Sequence, residues 1–260
     1  MSFESIIEEH FPKLEQAKKT VQKSSSDTNT SLKMLGDGNI KGLPRKLSDA
    51  VENLERALEL LKSFNQDWPQ DNMEELFASE EYLQELTDRL SEQDVDAHRL
   101  DDVLYVYPAL VRRESAALGI RIDKKLEAGV RPSILASSLK RLQNTPSRFP
   151  VARFLTSLFR IYKALNSQNL GKGEVWTGKV TYLRDIYEMI AAAPGSDYTE
   201  QEFVRDIYLL DCAGEDLIVR GHQASLVASS STRDEKKLLS IITRGGERKL
   251  YCGIRFDPVD

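Results

Sequence analysis

The residues with the means to do chemistry are few and scattered. Asp94, Asp96, His98, Asp101 and Asp102 form the one carboxylate–histidine cluster. Its residue types suit a metal ion, but spacings of two and three in a polar stretch describe a solvated acidic loop. Glu114, Asp123, Lys124 and Lys125 offer carboxylates and lysines of the kind that act on phosphodiesters. They would need a sheet to converge. His10 and His222 are isolated: the first reads as a surface residue on a helix, the second as a loop or strand-end residue. Cys212 and Cys252 are too few for a disulfide framework or a four-thiolate zinc site, and both read as buried, inert thiols. No phosphate-cradling glycine loop, zinc-binding helix or nucleophile elbow is spelled out. The expectation is a non-catalytic protein without cofactor or metal.

The charge distribution says more. The chain has 260 residues and a net charge of −5, with 40% apolar and 30% charged residues. That total hides three blocks: −11 over residues 1–103, +10 over 104–173 and −4 over 174–260. The basic block carries Arg112, Arg113, Arg121, Lys124, Lys125, Arg131, Lys140, Arg141, Arg148, Arg153, Arg160, Lys163 and Lys172. Such a block attracts phosphate over about one Debye length, ~8 Å at physiological salt. It equally suits docking on the acidic N-terminal third of this chain or of a second copy. No apolar run reaches the length of a membrane span, and the first residues are acidic and amphipathic, unlike a signal peptide. With only two cysteines, a reducing cytoplasm is the expected home.

The elements that must position these residues follow from periodicity. Phe3, Ile6, Ile7, Phe11, Leu14, Ala17 and Val21 predict a first helix, which Pro12 should kink or split. The Ser/Thr/Asn/Gly-rich stretch 23–39 predicts a linker or loop. Leu47, Val51, Leu54, Leu58 and Leu61 recur at intervals of four and three, a coiled-coil-like seam of two heptads. Leu76, Leu83, Leu86 and Leu90 predict one further helix, ending near Ser91, that pairs with the seam helix as a hairpin. The seam serves either the intramolecular core or a dimer.

Residues 103–111 are β-prone, with Pro108 marking an edge or an end. Ile120 and Ile122 predict a short hairpin turning at Gly129. Helices are expected from Pro132 and over about 151–165, the latter with Arg153, Arg160 and Lys163 on the side opposite its apolar face. The glycine-containing stretch 166–179 is the expected boundary, giving regions 1–103 (acidic, helical), 104–173 (basic, mostly helical) and 174–260. In the last, a helix carrying Val180, Leu183, Ile186 and Ile190 is followed by one capped by Thr199 and Glu202. Then come strand-like runs at 217–219, 224–227, 238–242 and 250–256, the last two joined by a turn at Arg244–Glu247.

That order of helix, tight turn, helix and β-hairpin resembles a winged helix-turn-helix over about residues 175–256. The fold class is thus mainly α, with an N-terminal helical hairpin or bundle and a C-terminal α+β winged-helix-like domain. The resemblance implies DNA binding, with the second helix in the major groove and the wing on the backbone. The second helix here carries Glu200, Glu202, Asp206 and Asp211 beside a lone Arg205, which favours protein docking over base reading. Arg233, Lys236, Lys237, Arg244, Arg248, Lys249 and Arg255 would serve the wing. The expected function is sequence-independent nucleic-acid binding, with double-stranded DNA as the expected partner. The N-terminal helices would hold a homodimer or a larger partner protein, with no membrane involved. The alternative is an accessory or scaffold subunit, resembling in layout those that accompany SMC-like or other DNA-handling ATPases.

Overall fold

The computed structural model describes residues 2–168, 170, 175–214, 216–227 and 237–259. The chain divides into two compact units, Met1–Arg89 with Gly129–Leu135, and Leu90–Ala128 with Ala136–Asp260.

In the first unit, α1 (Phe3–Gly36) and α2 (Leu43–Asp67) form a long antiparallel hairpin. The expected loop at 23–39 is mostly helix: α1 runs without a break past Pro12 and through the Ser/Thr stretch. The reason is a heptad of small or compact residues. His10, Ala17, Ser24 and Ser31 recur every seven positions and are buried, as are Ala50 and Ala57 on α2. Small side chains let the two helices approach closely. The hydroxyls that would favour a loop are absorbed: Ser24 donates to the Ala50 carbonyl at 2.7 Å, and Thr28, Thr30 and Ser31 each donate to the carbonyl four residues back at 2.9 Å. Lys46 and Asn53 both reach Asp27. The hydrogen bond that Pro12 forgoes is outweighed by this continuous contact.

The partner of α2 is therefore α1, not the helix that follows. That helix is two, α3 (Gln70–Ala78) and α4 (Glu80–Glu92), separated at Ser79. Phe3, Phe77 and Tyr82 form an aromatic cluster with ring centroids 4.7–6.4 Å apart. The Tyr82 hydroxyl donates to the Val130 carbonyl at 2.6 Å. The start of α1 is held by Glu85, whose carboxylate accepts from the Phe3 and Glu4 amides. His10 is buried rather than on the surface: Nδ1 lies 2.9 Å from the Ile6 carbonyl and the ring stands edge-on to Trp68.

The second unit opens with a five-stranded antiparallel meander: β1 (His98–Leu100), β2 (Val103–Val106), β3 (Ala109–Glu114), β4 (Gly119–Ile122) and β5 (Lys125–Glu127). The basic region is thus strand up to Glu127, not mostly helix. Pro108 lies in the two-residue turn between β2 and β3. The β4–β5 hairpin turns at Asp123–Lys124 rather than at Gly129. Then come α5 (Pro132–Gln143), α6 (Val151–Ser167), β6 (Thr181–Tyr182), α7 (Leu183–Ala191) and α8 (Glu200–Asp211). Thr199 and Glu202 cap α8 reciprocally, as their spacing implies.

The chain ends in β7 (Ile218–Val219), β8 (His222–Val227), β9 (Leu239–Ile242), β10 (Arg248–Tyr251) and β11 (Gly253–Pro258). One sheet has the order β6-β11-β8-β7; β9 and β10 form a separate hairpin. The run 250–256 is divided at Cys252 between these two sheets. Gly253 permits the pairing of β11 with β6, because a Cβ there would lie 2.7 Å from Val180 Cγ1 and 2.9 Å from the Thr181 carbonyl. One core joins Tyr105, Tyr107 and Leu110 of the meander, Leu158 and Tyr162 of α6, and Ile186, Phe203, Ile207, Ile254 and Phe256. The expected boundary at 173/174 falls within this core. The architecture is a helical N-terminal region followed by antiparallel sheet with helices.

Candidate nucleic-acid interface

The cations of the basic block fall into two groups. The first is consumed by carboxylates of this chain. Arg112, on β3, reaches Thr199 Oγ1 at 3.2 Å and Glu202 at 3.4 Å, and so props the cap of α8. Arg121 pairs with Glu114 at 2.7 Å across the β3–β4 hairpin, Lys124 with Asp197 at 2.6 Å, and Lys125 with Glu127 at 2.6 Å. Arg113 is half-buried on β3. Arg131 pairs with Glu4 and lies 3.5 Å from Glu8. Burial pushes the Glu4 carboxyl up, but the hydroxyl and amide of Ser133 and the Arg131 guanidinium together bring it below its usual range. Of these, only Arg131 meets a carboxylate of the acidic N-terminal third; the others pair with carboxylates within 114–202.

The second group stays in solvent. Arg148, Arg153, Arg160 and Lys163 are exposed on α6 and the segment leading into it, and Arg141 is exposed near the end of α5, where it reaches Ser138 at 3.2 Å. Lys140 is half-buried. On α6 the opposite face buries Leu155, Leu158, Phe159 and Tyr162, so the basic side is fixed by the packing of the apolar one. Lys163 lies 5.2 Å from the centroid of Trp176, which holds its stem without removing its charge. No Asp or Glu occurs from Ala128 to Gly173, so no acidic neighbour along the sequence neutralises this face. Lys172 lies outside the described residues.

The wing cations are placed differently from expectation. Hairpin β9–β10 does not stand alone: it contacts α8 and β1, with His98 Nε2 3.0 Å from the Arg244 carbonyl and the Tyr107 hydroxyl donating to the Ile242 carbonyl at 2.5 Å. Arg244 and Arg248 are exposed, while Lys249 donates to Asp211 at 2.5 Å. Arg255 pairs with Asp257, and Lys237 lies 4.0 Å from the Tyr182 ring centroid. Arg233 and Lys236 lie outside the described residues. The sole cation of α8, Arg205, is largely enclosed, paired with Asp206 at 2.8 Å and with Asp123.

A cavity of about 400 Å³ opens beside the N-terminus of α6, lined by Tyr107, Phe149, Val151, Tyr208, Cys212 and Arg244. Its size is that of a small-ligand or base pocket. Burial raises the Tyr107 and Tyr208 hydroxyls above their ordinary range, so both rings are neutral at physiological pH. Sequence reasoning missed this feature because its three aromatic residues lie in three separate places, the β2–β3 turn, the segment before α6 and α8, and no spacing connects them. Cys212 is exposed and Cys252 half-buried, against the expectation of buried thiols.

The other chemistry-bearing sets do not assemble. Asp123 accepts from the Leu110 amide and pairs with Arg205, while Glu114 pairs with Arg121, so both carboxylates have structural work. Among the described residues no group of three or more His, Cys, Asp or Glu is placed to hold a metal. Among them, too, no helix is long and apolar enough to cross a membrane.

The leucine seam is outside both cores. Leu47, Val51, Leu54, Leu58 and Leu61 are all exposed, because the buried stripe of α2 is Ala50 and Ala57 instead. No protein-family model, curated protein or solved structure matches the chain.

Proposed function

We propose that this protein binds nucleic acid without sequence preference, through phosphate contacts made by Arg141, Arg148, Arg153, Arg160 and Lys163. The observation that carries the reading is the solvent-facing basic side of α6, opposite a buried apolar side and within a stretch of chain free of carboxylates. Side chains held at one helix face present charge at a fixed spacing, which suits a phosphate backbone and carries no base information. The order α6, β6, α7, α8, β7, β8, β9, β10, β11, with β6, β11 and β8 adjacent in one antiparallel sheet and the β9–β10 hairpin inserted between β8 and β11, supports the winged-helix resemblance. The helix in the recognition position is α8. Its acidic residues and its locked Arg205 argue against major-groove reading. The binding face is α6.

The test is anisotropy of labelled duplex and single strand across a salt series. With three to five phosphates contacted, the logarithm of the affinity should fall with a slope of about −3 to −4.5 per decade of salt. Replacing Arg153, Arg160 and Lys163 together by Glu should abolish most binding and leave the fold intact. Unchanged isotherms in that variant would refute the reading and leave an accessory subunit, whose basic face meets an acidic protein, in its place. The aromatic cavity favours a single strand as a second substrate class, since an unstacked base fits among Tyr107, Phe149 and Tyr208. Tyr208→Ala should then weaken single-strand binding and spare the duplex.

A further inference from the structure

Among the described residues, one face of the α1–α2 hairpin carries a row of exposed apolar side chains. Phe11, Leu14 and Val21 on α1 and Leu47, Val51, Leu54, Leu58 and Leu61 on α2 are each 41–60% exposed. At about 100° per residue, Leu14 and Val21 lie about 40° and Phe11 about 100° to one side of the buried stripe of α1. On α2, Leu47, Leu54 and Leu61 lie about 40° and Val51 and Leu58 about 100° to the same rotational side of its stripe. Because the helices are antiparallel, equal rotations bring both rows to the same face. The register follows from Ser24 on Ala50 and His10 beside Phe64. Leu14 is therefore level with Leu61, and Val21 with Leu54.

We infer that this strip is the docking surface for a second copy of the chain, hairpin on hairpin, forming a four-helix bundle in which α2 of each protomer lies on α1 of the other. Three features select a second copy. The eight residues together expose on the order of 600 Å², at the upper end of what a monomer ordinarily leaves as one apolar patch and approaching one partner's share of a standard interface. The 4-3-4-3 spacing on α2 is that of side chains that interdigitate with a second helix. The charges at the outer edge of the strip are self-complementary.

Those charges also choose between the two symmetric stackings. With the two-fold axis along the helices, Lys62 faces the partner's Glu15 and Glu55 faces the partner's Lys18. With the axis across the helices, α2 lies on its own copy centred at Leu54, which sets Glu55 against its equivalent. Glu15, which lies 3.2 Å from Lys19 on the same helix, remains about half exposed. The first stacking is the one proposed. It is independent of the phosphate contacts on α6, and each can fail alone.

Sedimentation at tens of micromolar should show a dimer. Lys18→Glu with Lys62→Glu should weaken self-association by more than about tenfold, as should Glu15→Lys with Glu55→Lys. Mixing the two variants should restore the dimer, since one then presents only Glu and the other only Lys at these positions. In a Cys212→Ser, Cys252→Ser background, Leu14→Cys mixed with Leu61→Cys should give a disulfide-linked pair, and Leu54→Cys alone should not. The cysteine experiment keeps the test decisive even where a charge variant misfolds. A wild-type monomer at that concentration, a dimer indifferent to both charge variants, or cross-linking through Leu54→Cys alone would overturn the proposal.

Discussion

Arg205→Met separates a structural cation from a binding one. Arg205 is the only cation on the helix that the winged-helix resemblance would place on DNA, yet its side chain is 13% exposed and paired with Asp206 and Asp123. Asp206 in turn accepts from the Tyr198 hydroxyl at 2.5 Å. The pair joins the β4–β5 turn to α8. Methionine keeps the stem and removes the guanidinium, so two carboxylates lose their counter-charge. Breaking a buried pair in this way costs about 3–5 kcal/mol. Asp123 is 41% exposed and water recovers part of its loss, so the lower end, about 3 kcal/mol, is expected. For a domain of this size that corresponds to a fall in Tm of about 6–12 °C.

Thermal unfolding followed by circular dichroism measures this directly. The deficit should shrink on acidification. Burial raises the Asp206 carboxyl above its ordinary value despite Arg205, and loss of the guanidinium raises it further. A carboxyl raised in the folded state binds its proton there first, so stability increases as pH falls from the folded value toward the ordinary aspartate value. Adding Asp206→Asn should recover much of the loss at neutral pH. A Tm within about 2 °C of wild type, or a deficit that does not change with pH, would refute the network as described. Nucleic-acid affinity of the folded variant should be unchanged.

The α1–α2 seam depends on small side chains, so Ala57→Leu should destabilise the hairpin by about 1–3 kcal/mol in chemical denaturation. The depressed Glu4 carboxyl contributes stability that is present above the ordinary glutamate value and is lost as pH falls through its lowered one; Glu4→Gln should remove that acid sensitivity from the helical signal. Residues 174–260 expressed alone should show no cooperative thermal transition, while 90–260 should, because α6 and the meander supply part of the core. Gly253→Ala should destabilise the second unit, since the Cβ meets the Thr181 carbonyl of the neighbouring strand and backbone cannot yield as a side chain can.

How far the sequence could be read depended on where the deciding interaction lay. Local signals were sound: the Thr199–Glu202 cap, the apolar face of α6 and the turn at Arg244–Glu247 are each set within a few residues, and the elements appear at those places. Long-range decisions were not legible. The 23–39 stretch reads as loop because Ser and Thr compete for backbone hydrogen bonds, and only a second helix at Ala50 makes its burial favourable. The pairing of α2 with α1 is hidden for the same reason. A leucine row attracts attention, while the contact that joins the helices is made by alanines and serines whose period of seven is visible but whose hydrophobicity is weak.

The candidate interface shows the same division. Composition located a basic block but could not say which of its cations retain their charge for a partner. That depends on carboxylates far away in sequence: Glu202 for Arg112, Asp197 for Lys124 and Glu4 for Arg131. What survives is set by helix periodicity, since Arg153, Arg160 and Lys163 face solvent for the reason that Leu155, Leu158 and Tyr162 do not. The apolar counterpart follows the same logic in reverse. Once alanines and serines join α1 to α2, the leucines of α2 are turned out of the hairpin and expose a surface large enough to need a cover. One helix face thus carries unneutralised charge and another carries unburied leucine. Each is a consequence of what its own opposite side had to bury.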